Sequence, residues 1–279
     1  MSRSIVLLGG PDSGKTNYIG PLWRALDAEG GVLHAAEQPE DINFVLEITD
    51  HIFAGGFAPR SEHSDARRDF EVVVAATEGP PARIVVPDIS GELWRNAVIN
   101  SEIDSDWMDE LERADGALLF VRVGSDQDVR PLDWVTSRTL LERFGDEEEP
   151  GLPTQVMLCE LIRFLEVSLA NREDGECPRL SVVVTAWDLV DAEKFQQGPF
   201  AYLAREYPLV AGKLTDLERL DVQIFGLSSV GGDLKHDAAY REAFLNAGPD
   251  GHGWVAVDDH DGWRKDSDIT LPIAWAVGL

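Results

Sequence analysis

Basic residues are scarce in this sequence. Its 279 residues include 24 Lys and Arg against 51 Asp and Glu, which gives a formal charge of -27 and an isoelectric point near 4.4. A chain this acidic repels nucleic-acid backbones and anionic lipid surfaces. We therefore expect neither nucleic acid nor a membrane among its partners, and any anionic ligand must be held by a local site.

Cysteine and long apolar runs are also scarce. The two cysteines, Cys159 and Cys177, cannot supply a disulfide framework. The longest apolar stretches, such as 5–8 and 180–184, are far shorter than the roughly 18 to 20 residues that span a bilayer. The N-terminal apolar stretch is also too short for the core of a signal peptide. These features predict a cytoplasmic protein.

The hydrophobic content of 44% is nevertheless ample for a sizeable core. Short segments rich in Val, Ile and Leu predict strands at 4–8, 71–75, 83–87, 117–123, 180–185 and 222–227. Helical patterns occur at 14–27, 93–113, 153–170 and 195–219, the last broken near Pro208. This alternation predicts an α/β fold with a doubly wound, mostly parallel sheet.

Two stretches, 30–69 and 231–267, are longer than a minimal α/β domain needs, and long excursions of this kind are often functional. The first contains a helical pattern and a turn-rich run at 55–60. The second is rich in Gly, Asp and His. Its His252, Asp258, Asp259, His260 and Asp261 fit no defined spacing of metal ligands and have the composition of a solvated loop, so no second metal is expected there. We expect one domain, residues 1–279, that carries both stretches as extensions, with a helix closing the chain.

Residues 9–16, with the sequence GGPDSGKT, match the phosphate-loop motif G-x-x-x-x-G-K-[ST] in full, between a predicted strand and a predicted helix. Successive backbone N–H groups and the helix N-terminus make such a loop an anion site. Lys15 would reach the β- and γ-phosphates, and the Thr16 hydroxyl would bind Mg²⁺. The residues expected to contact the nucleotide here are Gly9, Pro11, Asp12, Ser13, Gly14, Lys15, Thr16 and Asn17.

Three further motifs follow predicted strands. Asp88 and Gly91 form D-x-x-G, in which the carboxylate can hold Mg²⁺ through water and the glycine N–H can approach the γ-phosphate. The alternative is that Asp88 merely caps the next helix. Thr185-Ala-Trp-Asp188 and Ser228-Ser229 end two more strands, where open α/β sheets bind ligands.

These four motifs in this order resemble those of P-loop GTPases of the translation-factor-related (TRAFAC) class. The amino-acid sequences of these motifs are most similar to those of the prokaryotic double-GTPase family, which is associated with bacterial conflict systems. The resemblance spans almost the whole chain. It implies that Asp188 accepts hydrogen bonds from guanine N1 and N2, that the Ser229 backbone faces guanine O6, and that Thr185 and Ser228 belong to the same two base-reading motifs.

The resemblance also implies two switch regions, the first within residues 30–69. Ser61 is our candidate there for a second direct Mg²⁺ ligand beside Thr16, with Asp88 acting through water. Thr49 is the alternative, but its place inside a helical pattern favours a position in the core or on the surface. Gly91 and Glu92 would join Lys15 in the catalytic machinery. Arg60, Arg67, Arg68 and Arg95 are candidates for an internal arginine finger, and none of them stands out.

Three positions depart from the pattern of that class. Ala186 replaces the Lys that supports the phosphate loop and covers the base, Glu92 replaces the Gln that orients the attacking water, and Val230 stands where Lys is common. Asp12 stands where some GTPases activated by dimerisation carry an Asn that helps to hold K⁺. Activation by K⁺ is therefore a hypothesis, and a plain turn residue is the simpler interpretation.

The sequence thus predicts a Mg²⁺-dependent protein that binds GTP, hydrolyses it to GDP and acts as a switch whose protein partners sense the switch regions. Two alternatives stay open. One is a GTP-bound scaffold that does not hydrolyse its nucleotide, motivated by Glu92 and Ala186. The other is a P-loop ATPase or kinase, which Asp188 and the Ser228-Ser229 turn make less attractive.

Overall fold

The computed structural model describes residues 3–39, 42–56, 69–76, 81–87, 98, 100, 103, 105–130, 152–172, 174–248, 251–259 and 262–278. Within these ranges, nine strands form one sheet. They are β1 (Arg3–Gly9), β2 (Leu33–Ala35), β3 (Asp69–Ala76), β4 (Ala82–Pro87), β5 (Gly116–Arg122), β6 (Arg179–Thr185), β7 (Asp221–Ser228), β8 (Trp254–Asp258) and β9 (Trp263–Asp266).

The strand order is β2-β3-β4-β1-β5-β6-β7-β8-β9. The five central strands, from β4 to β7 in this order, are parallel, and β2, β3, β8 and β9 extend the two sides in antiparallel pairs. This mixed, mostly parallel sheet confirms the predicted α/β class.

The described helices are α1 (Lys15–Asp27), α2 (Ile42–Phe53), α3 (Ser105–Arg113), α4 (Thr154–Ser168), α5 (Ala192–Glu206), α6 (Pro208–Thr215), α7 (Ala238–Ala247) and α8 (Leu271–Ala276). In these parts of the chain, no helix has the length and apolar character needed to cross a membrane.

The hydrophobic core lies on both faces of the sheet, which explains why the central strands are apolar at nearly every position. In β1, Ile5 and Leu7 pack on one face with α1, α2, α7 and α8, whereas Val6 and Leu8 pack on the other with α3 to α6. All four side chains are at most 1% exposed.

All six predicted strands occur, and the predicted break near Pro208 lies between α5 and α6. No strand was predicted within the stretch 231–267, but residues 254–258 are extended. These residues form β8, in which Trp254, Val255 and Ala256 are buried, because the strand pairs antiparallel with β7 and covers its edge. Composition alone did not reveal this tertiary pairing.

The parallel strands position the site. Strands β1, β5, β6 and β7 end at Gly9, Arg122, Thr185 and Ser228. Because the carboxyl ends of parallel strands meet at one edge of a sheet, the phosphate-loop motif and both presumed base motifs lie at the same edge.

Candidate functional site

The phosphate loop, residues 9–16, is a tight turn from β1 into α1. Gly14 has a left-handed backbone with φ of 90°, and a Cβ built on it would lie 3.0 Å from the Thr185 hydroxyl oxygen. Both constraints favour glycine at this position. Asp12 also has a positive φ, 57°, which Asp tolerates better than most residues. The loop is thus a tight turn that requires glycine at position 14, with α1 starting at Lys15.

The Lys15 side chain folds back across this loop. Its ammonium donates to the Gly9 carbonyl at 2.5 Å and lies 3.3 Å from Ser13 Oγ and 3.4 Å from the Gly10 carbonyl. Ser13 is buried, and Thr16 follows Lys15 in the first turn of α1. One positive charge therefore lies inside the loop, at the end of a helix that itself favours anions.

Asp12 projects from the loop to a residue that the sequence analysis did not single out. The guanidinium of Arg122 donates to Asp12 Oδ1 at 2.5 Å, and the Ser125 hydroxyl donates to Oδ2 at 2.9 Å. Both carboxylate oxygens of Asp12 are thus engaged by protein groups. Arg122 could have been noticed as a charged residue ending an apolar strand beside the phosphate-loop strand.

Thr185 joins the phosphate loop to the first presumed base motif. Its buried hydroxyl donates to the Ser13 carbonyl at 2.7 Å, so β6 holds the loop through one hydrogen bond. Ala186, the next residue, has a left-handed backbone with φ of 53°. Trp187 is fully buried against Gly226 of β7, where a Cβ would lie 2.6 Å from the indole ring. This packing anchors the turn that carries Asp188.

Asp188 is oriented by the second presumed base motif. The Ser228 hydroxyl donates to Asp188 Oδ1 at 2.5 Å and accepts the Gly231 N–H at 2.9 Å. Ser228 itself is fully buried. The carboxylate therefore has one oxygen held by the protein, and the two motifs that the sequence analysis paired are in direct contact.

A cavity of about 150 Å³ connects these parts. Four segments line it: the start of α1, residues 122–126, residues 185–189 and residues 229–236. The lining residues with polar side chains include Asn17, Arg122, Asp188, Ser229, Lys235 and His236. We call it the base-side cavity, because it continues from the phosphate loop at Gly14 to Asp188.

Lys235 and His236 were not recognised from the sequence, since they belong to the stretch 231–267 that we treated only as an insert. Their backbone N–H groups donate to Asp233 Oδ1 at 2.9 and 3.0 Å. Slight burial opposes the charged carboxylate, but these hydrogen bonds and the nearby His236 ring outweigh it and lower the pKa of Asp233. The turn thereby places a lysine at the wall of the cavity.

Segment 123–130 continues from Arg122 to a half-buried carboxylate, Asp128. The Tyr207 hydroxyl donates to Asp128 Oδ2 and lies 3.2 Å from the Arg122 carbonyl oxygen. Burial raises the pKa of Asp128 despite this hydrogen bond, raises that of Tyr207, and raises the pKa of Tyr202 to about 12. This hydrogen-bonded group lies behind the site, on the side of α4 and α5.

Most of the predicted site residues lie at this one edge. The described ones are Gly9, Pro11, Asp12, Ser13, Gly14, Lys15, Thr16, Asn17, Thr185, Asp188, Ser228 and Ser229. The predicted residues Ser61, Asp88, Gly91 and Glu92, and the arginine-finger candidates Arg60, Arg67, Arg68 and Arg95, lie outside the described residues. The functional roles of all of them stay predictions.

The chain also matches known proteins. A protein-family model described as Double-GTPase 1 matches residues 6–276. None of the curated proteins compared with the chain matches it. The solved structure of the signal recognition particle receptor SRb-GTP/SRX complex from Chaetomium thermophilum is 14% identical, with a TM-score of 0.38, over 88% of this chain and 98% of that chain. The S. cerevisiae Ski7 GTPase-like domain bound to GTP is also 14% identical, with a TM-score of 0.40, over 83% of this chain and 44% of that chain.

Proposed function

We propose that this chain, which belongs to the Double-GTPase 1 family, binds GTP, hydrolyses it to GDP and acts as a nucleotide-controlled switch. Its family membership confirms the resemblance found in the motifs. The observation that carries the proposal is the continuity of the site: the phosphate loop with Lys15 inside it leads, at Gly14, into a cavity that reaches Asp188.

The part of the site formed by the phosphate loop is suited to the phosphate groups of a nucleotide. Lys15 supplies a positive charge, the loop backbone supplies N–H donors, and α1 adds the partial charge of its N-terminus. Such a local cluster can hold an anion although the whole chain carries a charge of -27. The strong acidity therefore excludes diffuse binding of polyanions but permits a nucleotide.

The base end is suited to guanine. Asp188 would accept hydrogen bonds from guanine N1 and N2, two donors that adenine does not offer, and the Ser229 backbone would face O6. The Ser228 hydroxyl holds Asp188 Oδ1 in place, so little ordering is needed when the base arrives. A buried carboxylate left unpaired costs about 1 to 3 kcal/mol or more, which is how such a site discriminates against adenine.

The metal would be Mg²⁺, held directly by Thr16 and Ser61 and through water by Asp88. Thr16 fits this role, since its hydroxyl oxygen is a hard ligand next to Lys15 in the first turn of α1. The ion would neutralise charge between the phosphates. Gly91 and Ser61 would release when the γ-phosphate leaves, and protein partners would sense that change, within a cytoplasmic conflict or defence system of bacteria.

Glu92 and Ala186 support a second candidate function, a GTP-bound scaffold that does not hydrolyse its nucleotide. A carboxylate at position 92 could orient water or repel the γ-phosphate. Single-turnover assays separate the two functions: a switch converts bound GTP to GDP, with or without a partner, whereas a scaffold keeps the γ-phosphate for hours.

Activation by K⁺ through Asp12 is tested by the rate of GTP hydrolysis in K⁺ and in Na⁺ at the same ionic strength. Equal rates would remove the hypothesis that Asp12 helps to hold K⁺.

Base preference is the sharpest test of the proposal. Binding of GTP, GDP, ATP and XTP with Mg²⁺ is compared for wild type and Asp188→Asn. We expect wild type to prefer guanine nucleotides, and Asp188→Asn to shift the preference toward xanthine by roughly 10-fold or more, because Asn can donate to the xanthine oxygen where Asp can only accept.

Asp126→Asn is the matched control, since Asp126 lines the same cavity at an exposed position. It should leave the preference for guanine unchanged. Wild type that binds ATP and GTP equally, or binds neither, would overturn the proposed function. A guanine preference that survives in Asp188→Asn would overturn only the role of Asp188.

A further inference from the structure

The base-side cavity contains a cation that no motif provides. Ala186, in the segment 185–188 that lines this cavity, is half-buried and has no charge to offer there. Arg122 reaches the same cavity from the neighbouring strand β5. Its guanidinium lies where the loop and the cavity meet.

The contacts of Arg122 tie it to the phosphate loop. It donates to Asp12 Oδ1 at 2.5 Å, and the two side chains are each only 26% exposed. Arg122 also lines a second, smaller cavity of about 50 Å³, together with Gly10, Pro11 and Ser13. The side chain is therefore mostly buried beside the loop and lines both cavities.

Asp12 makes this position electrostatically important. It is a carboxylate inside a loop that should receive phosphate groups, and like charges at such short range repel strongly where water is partly excluded. The ion pair with Arg122 neutralises Asp12. A guanidinium has five N–H donors and a planar face, so groups remain to meet the nucleotide after one donor is given to Asp12.

We propose that Arg122 is a positioning and specificity-determining residue of the nucleotide site: by pairing with Asp12 it neutralises a carboxylate within the phosphate loop. The inference rests on the proposed nucleotide binding. It assigns to β5 a role that the phosphate-loop and base motifs do not include, and it explains how an acidic residue at position 12 is compatible with an anionic ligand.

The test measures dissociation constants for GDP and GTP in wild type, Arg122→Gln, Arg122→Lys and the double variant Arg122→Gln/Asp12→Asn. We expect Arg122→Gln to weaken GDP binding roughly 10-fold and GTP binding more, because an unpaired Asp12 repels the more highly charged nucleotide more strongly. Arg122→Lys keeps the positive charge beside Asp12, which Arg122 contacts through one hydrogen bond, and should stay within about 3-fold of wild type. The double variant removes the unpaired charge and should recover most of the lost affinity.

Arg163→Gln is the matched control. Arg163 is an exposed arginine on α4 that pairs with Glu160, and its loss should not change nucleotide binding. Thermal unfolding without nucleotide is measured on every variant, so that a general loss of stability is recognised. A purely structural role would reduce GDP and GTP binding equally.

Three outcomes overturn the inference and leave the proposed function standing: Arg122→Gln binds like wild type, its loss is equal for GDP and GTP, or the double variant is not rescued. Wild type that binds neither nucleotide overturns the proposed function and this inference together. A larger loss for GTP than for GDP, with recovery in the double variant, supports it.

Discussion

The phosphate loop and the base-side cavity meet at Gly14, but one is made from eight consecutive residues and the other from four separate segments. The loop's conformation follows from local constraints: Gly14 must be left-handed, and Lys15 begins a helix. The cavity exists only because β5, β6, β7 and the turn at 229–236 are brought together by the sheet. The loop's conformation therefore depends mainly on its own residues, with a few supporting contacts from β5 and β6, whereas the cavity depends throughout on the strands and the turn that bring its segments together.

Lys15→Ala should give the largest effect, at the contiguous end. The ammonium of Lys15 is the charge within the loop, and its loss should weaken GDP and GTP binding roughly 10- to 100-fold, the range expected for a hydrogen bond to a charged group. Competition binding with a labelled GDP measures this. Lys194→Ala, which removes an exposed lysine paired with Asp191, is the control and should bind as wild type does.

The same comparison explains what could be predicted from the sequence. Local sequence patterns were enough to predict the six strands, the phosphate loop and the break at Pro208, because apolar patterns and turn-forming residues act within a few positions. The family resemblance assigned Asp188 and Ser228 to two separate base motifs, and the 2.5 Å hydrogen bond between them appeared only in the structure.

Other parts of the site needed tertiary structure. Arg122, 110 positions away from Asp12, meets it because β1 and β5 are neighbours in the sheet, and no local pattern gives that distance. Lys235 reaches the cavity because Asp233 binds the N–H groups of the following turn. No strand was predicted at β8, because Gly, Asp and His dominate its surroundings and its pairing with β7 cannot be seen in composition.

Thr185→Val tests the hydrogen bond that connects the phosphate loop to β6, whose end lines the base-side cavity. The buried hydroxyl donates to the Ser13 carbonyl, and valine fills similar space without the donor, so the carbonyl is left unpaired. We expect a loss of about 1 to 3 kcal/mol in the free energy of unfolding, with weaker GDP binding as the loop loses its support. Urea unfolding and GDP titration measure the two effects.

Thr215→Val is the control for that substitution. The Thr215 hydroxyl donates to the Gly212 carbonyl at 2.8 Å at an exposed position, so its loss should cost no more than about 0.5 kcal/mol. If the two variants lost equal stability, Thr185 would be no more than an ordinary hydroxyl. If Thr185→Val lost stability but bound GDP normally, the loop would not depend on β6.

Tyr207→Phe should give the smallest effect, and it tests how far the assembled end depends on residues behind it. Tyr207 donates to Asp128 at the end of segment 123–130, which begins beside Arg122. Without the hydroxyl, the half-buried carboxylate loses a donor, and we expect a loss of about 1 kcal/mol at pH 7. Asp128 already has a raised pKa because of burial, and losing the donor raises it further.

The sign of the pH dependence follows from that shift. A carboxyl group whose pKa is higher in the folded than in the unfolded protein lowers stability above its folded pKa, and the stability returns as the group takes up a proton. The destabilisation of Tyr207→Phe should therefore shrink as the pH falls from 7 toward the folded pKa of Asp128. Tyr240→Phe is the control, because Tyr240 donates to the uncharged Val230 carbonyl, and its cost should not change over that range. Equal pH profiles for the two variants would show that Asp128 does not carry the effect, and that the assembled end of the site is independent of the residues behind it.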